Sequence, residues 1–481
     1  MISDRVAHLK DLLRHRVLVL DGATGTAMQA MNLTADDFGG PELEGCNENL
    51  VLTRPDIIRS VHECYLKAGA DIVETNTFGG TPLVLDEYDL SDKYYEINYN
   101  ASAIAREICA VYSTPEKPRF VAGSMGPTTK AISVTGGVTF DELVHNFTLQ
   151  AKALADGGCD YFLLETCQDT RNIKAGILAI DQANKELDRP LPVAVSVTVE
   201  QMGTMLGGQT IDALYTSIMH ADLLYVGLNC ATGPEFMTDH VRTLAELSRF
   251  PVACVPNAGL PDEDGRYLES PEMMGHILKR FADHGWINLI GGCCGTSDKH
   301  IAHFAELAPT LKVRQPAETC RSLVSGIDFL EITDEMRPVI VGERTNVIGS
   351  RKFKRLICEG KFEEASEVGR AQVKNGAHIV DICVANPDRD EQADMVAFLE
   401  EAIKKIRAPL MIDSTDPAVI ETALTFCQGK ALINSINLED GIERFEQVVP
   451  IARRYGAALV VGCIDDDPEH GMAVTRQRKL E

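Results

Sequence analysis

Eight short apolar runs, at 17–21, 70–78, 119–125, 159–165, 192–199, 221–230, 251–257 and 287–293, punctuate the first 300 or so residues. A helical pattern follows each one. Near-continuous apolar strands alternating with helices specify a parallel sheet covered on both faces. Eight such units in this length are the number that closes a (β/α)8 barrel. The rival is an open doubly wound sheet, which usually carries a glycine-rich phosphate fingerprint after its first strand. Here that turn reads Asp21-Gly22-Ala23-Thr24-Gly25-Thr26, without G-x-G-x-x-G spacing. The expected fold is α/β, a (β/α)8 or TIM barrel.

Chemistry in such a barrel collects at the carboxyl ends of the strands. Those ends supply Asp21, Glu74-Thr75-Asn76-Thr77, Ser124, Glu165-Thr166, Asn229-Cys230, Asn257 and Cys293-Cys294. Singly, Asp, Ser, Thr and Asn there are commonly caps or turn residues. Together they put a polar or thiol group on seven of the eight strands at one rim. The adjacent pair Cys293-Cys294 is unusual, because neighbours on a regular strand face opposite ways and can share one point only where the strand breaks. Glycines flank the pair and permit that break. With Cys230 they make three thiols and no obvious fourth, the ligand count of a zinc site that keeps a position open. Buried reduced cysteines acting as apolar filler are the alternative.

From about Leu311 the periodicity lapses, and 316–337, with Pro316 near its start and Pro338 just beyond its end, reads as a linker. The alternation restarts with strands at 338–342, 378–384, 409–413, 431–436 and 457–463. Five units would leave a long parallel edge and an apolar face open, which native folds avoid. The expectation is a second TIM-type barrel, truncated at its C-terminal side, in a fragment of a longer polypeptide; a five-stranded doubly wound domain is the alternative. The domain layout is thus 1–315, a linker at 316–337, and 338–481. The second set of strand ends offers Glu343-Arg344-Thr345-Asn346, Asp381, Asp413-Ser414 and Asn434. Carboxylates and amides of this kind can hydrogen-bond a flat, amide-like heterocycle. The basic run Arg351-Lys352-Phe353-Lys354-Arg355 reads as a solvated helix face or as a contact for an anionic tail.

Composition narrows the partners. A formal charge of −25 over 481 residues argues against nucleic acid. No apolar run approaches membrane-spanning length. Fourteen irregularly spaced cysteines behind a charged N-terminal helical pattern read as reduced thiols in a cytoplasmic protein.

The motifs Gly291-Gly292-Cys293-Cys294-Gly295-Thr296, Asn229-Cys230 and Asp21-Gly22-Ala23-Thr24-Gly25-Thr26 resemble the zinc-dependent homocysteine S-methyltransferase family over roughly residues 1–310. Gly342-Glu343-Arg344-Thr345-Asn346, Ile412-Asp413-Ser414 and Ile433-Asn434-Ser435-Ile436 resemble the pterin-binding domain of corrinoid methyltransferases. The two in this order resemble the N-terminal half of cobalamin-dependent homocysteine methyltransferases. That resemblance implies Zn2+ on Cys230, Cys293 and Cys294, and homocysteine held by Asp21, Gly22, Ala23, Thr24, Ser124 and Glu165, with Asn257 close to the metal. It further implies 5-methyltetrahydrofolate, the methyl donor, in a pocket of Glu343, Asn346, Asp381, Asp413 and Ser414. Asn434 would act catalytically near the nitrogen that releases the methyl group, and the cobalamin carrier would sit on a module outside this chain. One departure stands out: Asp381-Ile382-Cys383 has cysteine where the family usually has asparagine, with Asn386 as a substitute for the amide. Two alternatives follow, a corrinoid-linked enzyme with a non-folate donor and a direct methyl transfer from betaine or S-methylmethionine. A structural or sensory zinc module would not require the polar rim.

Overall fold

The computed structural model describes residues 2–316, 321–439, 441–465 and 471–480. Residues 317–320 of the expected linker lie outside the described residues. The chain divides into two compact units, Met1–Ile211 with Asp222–Thr319, and Asp212–Ala221 with Cys320–Glu481. Among the described residues no helix is long and apolar enough to cross a membrane.

The first unit is built on eight parallel strands: β1 (Leu18–Val19), β2 (Ile72–Glu74), β3 (Phe120–Met125), β4 (Tyr161–Cys167), β5 (Val193–Val197), β6 (Leu223–Asn229), β7 (Val252–Val255) and β8 (Leu289–Ile290). Their order, β1-β8-β7-β6-β5-β4-β3-β2, follows the chain around a ring. A parallel bridge from Leu20 to Ile72, with the Asp71 amide donating to the Val19 carbonyl at 2.7 Å, joins the two ends. This is the expected barrel. Its interior is a packed core rather than a pore. Leu18, Leu20, Ile72, Phe120, Ala122, Tyr161, Leu163, Ala194, Tyr225, Ala253, Val255 and Leu289 fill it, and Leu9 and Leu13 of the helix Ile2–His15 pack into the same cluster. Within it the Tyr161 and Tyr225 hydroxyls lie 3.0 Å apart, so neither buried O–H lacks a partner.

The second unit carries a five-stranded parallel sheet: β11 (Val341–Gly342), β12 (Ile379–Ile382), β13 (Leu410–Asp413), β14 (Leu432–Ile436) and β15 (Ala458–Val461), in sequential order. Its interior face buries Ile379, Met411 and Leu432, whereas Val339, Val341, Ala458 and Val460 on the same face stay partly exposed. Before it, β9 (Leu323–Ser325) and β10 (Phe329–Glu331) form an antiparallel hairpin inside the segment read as a linker. Among the described residues, all thirteen parallel strands therefore fall where the apolar runs put them. The hairpin does not announce itself, because its three-residue strands are too short to show alternation.

Candidate active sites at the strand ends

Strand parity builds the first site. Side chains two residues apart on a strand face the same way. Two positions beyond the packed interior residues Ile72, Ala122, Leu163 and Val255 stand Glu74, Ser124, Glu165 and Asn257. All four therefore rise from the core onto the carboxyl rim. Ser124 donates its hydroxyl to Glu165. Asp21, 1% exposed, accepts from the Glu74 amide at 3.0 Å through one carboxylate oxygen, and its other oxygen has no partner. Burial pushes the Asp21 and Glu74 carboxyls well above their ordinary range, and the Glu165 carboxyl up to about 7. The negative charges of Glu165 and Asp21 raise Glu74 further. An orphaned buried oxygen of this kind costs about 1–3 kcal/mol. A cluster of this kind suits a cation.

The turn after β1 completes that side. Gly22 lies under the Tyr65 ring, where an added Cβ would approach Cε1 to 2.7 Å. The Tyr65 hydroxyl donates to the Ala23 carbonyl at 3.0 Å, and the Ala23 amide donates to Thr296 Oγ1 at 3.2 Å. Thr24 opens the helix Thr24–Gln29.

Three thiols meet across the rim. Asn229 faces inward and is braced by the Thr166 amide (3.0 Å) and the Ser196 hydroxyl (2.7 Å). On a regular strand Cys230 would then point outward. Its φ of +62°, followed by +58° at Ala231, turns it back, a left-handed backbone that costs a non-glycine residue energy. After β8 the chain bends tightly, with the Thr296 hydroxyl donating to the Cys293 carbonyl at 2.7 Å and Gly295 at φ +79°. That bend lets neighbours face one point. The Cys230, Cys293 and Cys294 sulfurs all lie within 4.8 Å of one another, and those of Cys230 and Cys294 are 3.7 Å apart. Hydrogen bonds from Cys230 and Cys293, with one from Tyr267, hold the Cys294 thiol down to about 3. Cys293 is pushed far up by its contacts with the other two and by burial. Asn257 is 3% exposed with an unpartnered Oδ1, and the Cys293 amide donates to the neighbouring Pro256 carbonyl at 2.9 Å.

The second rim is built from carboxylates and amides. Parity carries Ile379 to Asp381 and Cys383, Met411 to Asp413, and Leu432 to Asn434, all on the interior face. Asp413 and Asn434 are direct partners in the register. The Asn346 amide donates to Asp381 and Asp413, at 3.3 Å each, and Asn434 hydrogen-bonds Asp381. Burial, then the Asp413 charge, lifts Asp381 to about 6, and one of its oxygens has no partner. Glu343 is exposed and acts on both aspartates through its charge. Ser414 is turned aside, its hydroxyl donating to Glu391 at 2.7 Å. Cys383 donates to Asp413, while burial pushes its own thiol up to about 12. Asn386 does not replace the absent amide: its Nδ2 donates to Cys358 Sγ at 3.5 Å and its oxygen accepts from the Asp388 amide. Glu74 and Tyr267 join the first site without having been singled out as site residues from sequence. Glu74 had a signal in its strand-end position; Tyr267, on an irregular loop, had none.

A fold of this kind, with three thiols and a carboxylate cluster on one rim, defines a class, and the comparisons agree with it. The family model for homocysteine S-methyltransferase matches residues 18–308, and that for pterin-binding enzymes matches residues 342–480. The chain belongs to the homocysteine S-methyltransferase family and carries a pterin-binding domain after it. Among curated proteins it is 38% identical over 480 residues to Methionine synthase of Mycobacterium tuberculosis, covering 98% of this chain. The chain spans 40% of that relative's length. Among solved structures, the oxidized form of the homocysteine methyltransferase MmuM from Escherichia coli overlays on 60% of this chain and 95% of its own. The TM-score is 0.50 and the identity 22%, a likeness of fold.

Proposed function

We propose that the protein transfers a methyl group from 5-methyltetrahydrofolate, by way of a cobalamin held on a module outside this chain, to the sulfur of homocysteine, giving methionine and tetrahydrofolate. The observation that carries the reading is the convergence of Cys230, Cys293 and Cys294 on the rim that also holds Asp21, Glu74 and Glu165. Cys230, Cys293 and Cys294 would hold zinc. The fit is good: zinc with sulfurs at 2.3 Å in a tetrahedron puts them about 3.8 Å apart, and Cys230 and Cys294 are at 3.7 Å. Bound there, zinc would favour the thiolate of a substrate sulfur near neutral pH. The free Asn257 Oδ1 supports a polar occupant of the remaining position in the absence of substrate.

The chain's own residues would fix the amino-acid end. Asp21 and Glu165 suit the ammonium, with Glu74 a third carboxylate beside them; Ser124 orients Glu165. The Gly22–Thr24 turn is given the substrate carboxylate. In the second domain, Asp381, Asp413 and Asn346 suit the pterin ring. Loss of methyl from a tertiary amine requires a proton or hydrogen bond at the leaving nitrogen, the role given to Asn434. The functional boundaries proposed are 1–315 and 338–481, joined by 316–337, with the second sheet one part of a larger (β/α) barrel. The half-exposed interior residues Val341, Ala458 and Val460 support the last point. Cysteines free of disulfides throughout the described residues support a reducing, cytoplasmic setting.

One observation favours a second reading, a corrinoid-linked enzyme with a non-folate donor: Cys383 is spent on Asp413, and Asn386 is committed to Cys358. Binding of methyltetrahydrofolate to the full-length protein decides between them. Stoichiometric, saturable binding is expected; none at all would leave the first domain's assignment standing and transfer the donor role to another molecule.

A further inference from the structure

The regular ladder between β2 and β3 ends with the Thr75 amide donating to the Ala122 carbonyl at 2.9 Å. A regular parallel pair would place its next two rungs on the amide and the carbonyl of Ser124. By then the chain has turned away, with the Thr77 amide donating to the Thr75 carbonyl at 2.9 Å. Backbone pairing resumes only with the Gly126 amide on the Phe78 carbonyl at 3.0 Å. Two threonine side chains fill the gap. Thr75 Oγ1 accepts from the Ser124 amide at 2.9 Å, and the Thr77 hydroxyl donates to the Ser124 carbonyl at 2.7 Å. The two hydroxyl oxygens are 2.6 Å apart. Each hydroxyl has one proton to give, and that of Thr77 is spent on Ser124, so Thr75 donates to Thr77. The three bonds close a ring around the backbone of Ser124. Gln150, on the helix Phe140–Gly157, backs the ring: its Nε2 donates to the Thr77 carbonyl at 2.8 Å and reaches the Ser124 carbonyl at 3.4 Å. Thr75, Thr77, Ser124 and Gln150 are each no more than 3% exposed, so bulk water does not compete for these bonds.

We propose that Thr75 and Thr77 are positioning residues that hold Ser124 where its hydroxyl fixes Glu165 for the ammonium of homocysteine. The proposal rests on the ammonium reading of the carboxylate cluster given above. Ser124 donates its hydroxyl to Glu165 on the neighbouring strand, so the direction of that bond follows the backbone that carries it. On the β4 side that backbone is paired in regular register, Ser124 with Leu163. On the β2 side the threonine ring takes the place of the ladder. Without the Thr77 hydroxyl, the Ser124 carbonyl keeps on this side only the longer bond from Gln150. Ser124 is then free to shift, and Glu165 loses the partner that sets its orientation. The thiol trio is braced separately, through Asn229 by the Thr166 amide and the Ser196 hydroxyl. The ring therefore acts on one end of the substrate and not on the other, which a general support of the barrel would not do.

The test is a double-mutant cycle in full-length, zinc-loaded protein: wild type, Thr77→Val, Ser124→Ala and the two combined. Methyl transfer from supplied methylcobalamin is measured with homocysteine and with the analogue that lacks the amino group. Valine matches threonine in shape without the hydroxyl. Thr77→Val and Ser124→Ala should each raise the homocysteine KM about tenfold, the range for one hydrogen bond to a charged group, with kcat unchanged. The double variant should be no worse than Ser124→Ala alone, because residues acting through one group do not add. Thr77→Ser, which restores the hydroxyl, should return the wild-type KM. KM for the analogue should not respond to any of these changes. Thr75→Val breaks the same ring and carries the same test if Thr77→Val does not fold. A Thr77→Val protein matching wild type would overturn the proposal, as would an effect that multiplies with Ser124→Ala or is as large for the analogue. Wild-type protein that takes the analogue as readily as homocysteine would instead overturn the ammonium reading on which the proposal rests.

Discussion

The two rims use the same architectural device for opposite electrostatic ends. In the first, Asp21, Ser124, Glu165 and Asn257 are buried one step above a closed core, and a half-buried sulfur trio stands with a cluster of three carboxylates. In the second, the same parity rule delivers Asp381, Asp413, Asn346 and Asn434, which already hydrogen-bond one another. The first rim leaves an Asp21 and an Asn257 oxygen without partners, and the function proposed above gives it charged partners, a metal ion and an ammonium. The second leaves one Asp381 oxygen without a partner but joins its other groups in a network, and the function proposed above gives it a neutral, flat ring that exchanges into that network. What a (β/α) rim binds therefore depends less on which strand ends are polar than on how much of that polarity the protein has already paired.

The comparison makes graded predictions. Cys293→Ser should have the largest effect: loss of a direct ligand should weaken zinc by more than the ~100-fold that outer partners can cost. Homocysteine methylation should disappear, while methyltetrahydrofolate binding is unchanged. Loss of both by equilibrium binding would mean that the rims are not independent. Asn434→Ala should be the mirror image. It should slow demethylation of methyltetrahydrofolate by about 100-fold, the range for proton-transfer groups. Homocysteine methylation from supplied methylcobalamin should stay at the wild-type rate.

Glu165→Gln should be smaller, about tenfold in homocysteine affinity, the value of one charge-assisted hydrogen bond. It also has a stability signature. Wild type keeps a proton on Glu165 up to about pH 7, whereas the unfolded chain loses it near the ordinary glutamate value. The folded state thus binds more protons across that window, and its stability falls as pH rises through it. The melting temperature of Glu165→Gln should therefore gain on wild type between about pH 4.5 and 7, with a constant gap at lower pH. A gap that stays flat across the window would remove Glu165 from the buried cluster. The smallest effect is expected of Cys383→Asn, with folate affinity equal or modestly tighter if the second rim is a pterin site. A marked loss of affinity would favour the non-folate donor.

Much of this is legible in the amino-acid sequence. Apolar runs located every parallel strand, and Cys230, Cys293 and Cys294 could be grouped because barrel topology collects strand ends. What stayed hidden is what periodicity does not encode. Cys230 reaches its partners only through a positive φ, and nothing in its neighbours' identity demands one. Tyr267 packs over Gly295 from a loop whose path is set by the Ala258 amide on the Cys294 carbonyl and the Glu269 amide on the Ala258 carbonyl. Asn386 looked like a replacement for the missing amide because it lies close in sequence to Cys383, yet its turn directs it to Cys358. The hairpin at Leu323–Glu331 was too short to declare itself.

The central claim is that the first rim is a metal site made of three sulfurs. Zinc content of the purified full-length protein tests it most directly, compared between wild type and a variant with Cys230, Cys293 and Cys294 all changed to serine. About one equivalent in wild type and none in the variant is expected, with a proton released when homocysteine binds the wild type. Stoichiometric zinc retained by the triple variant would contradict the claim.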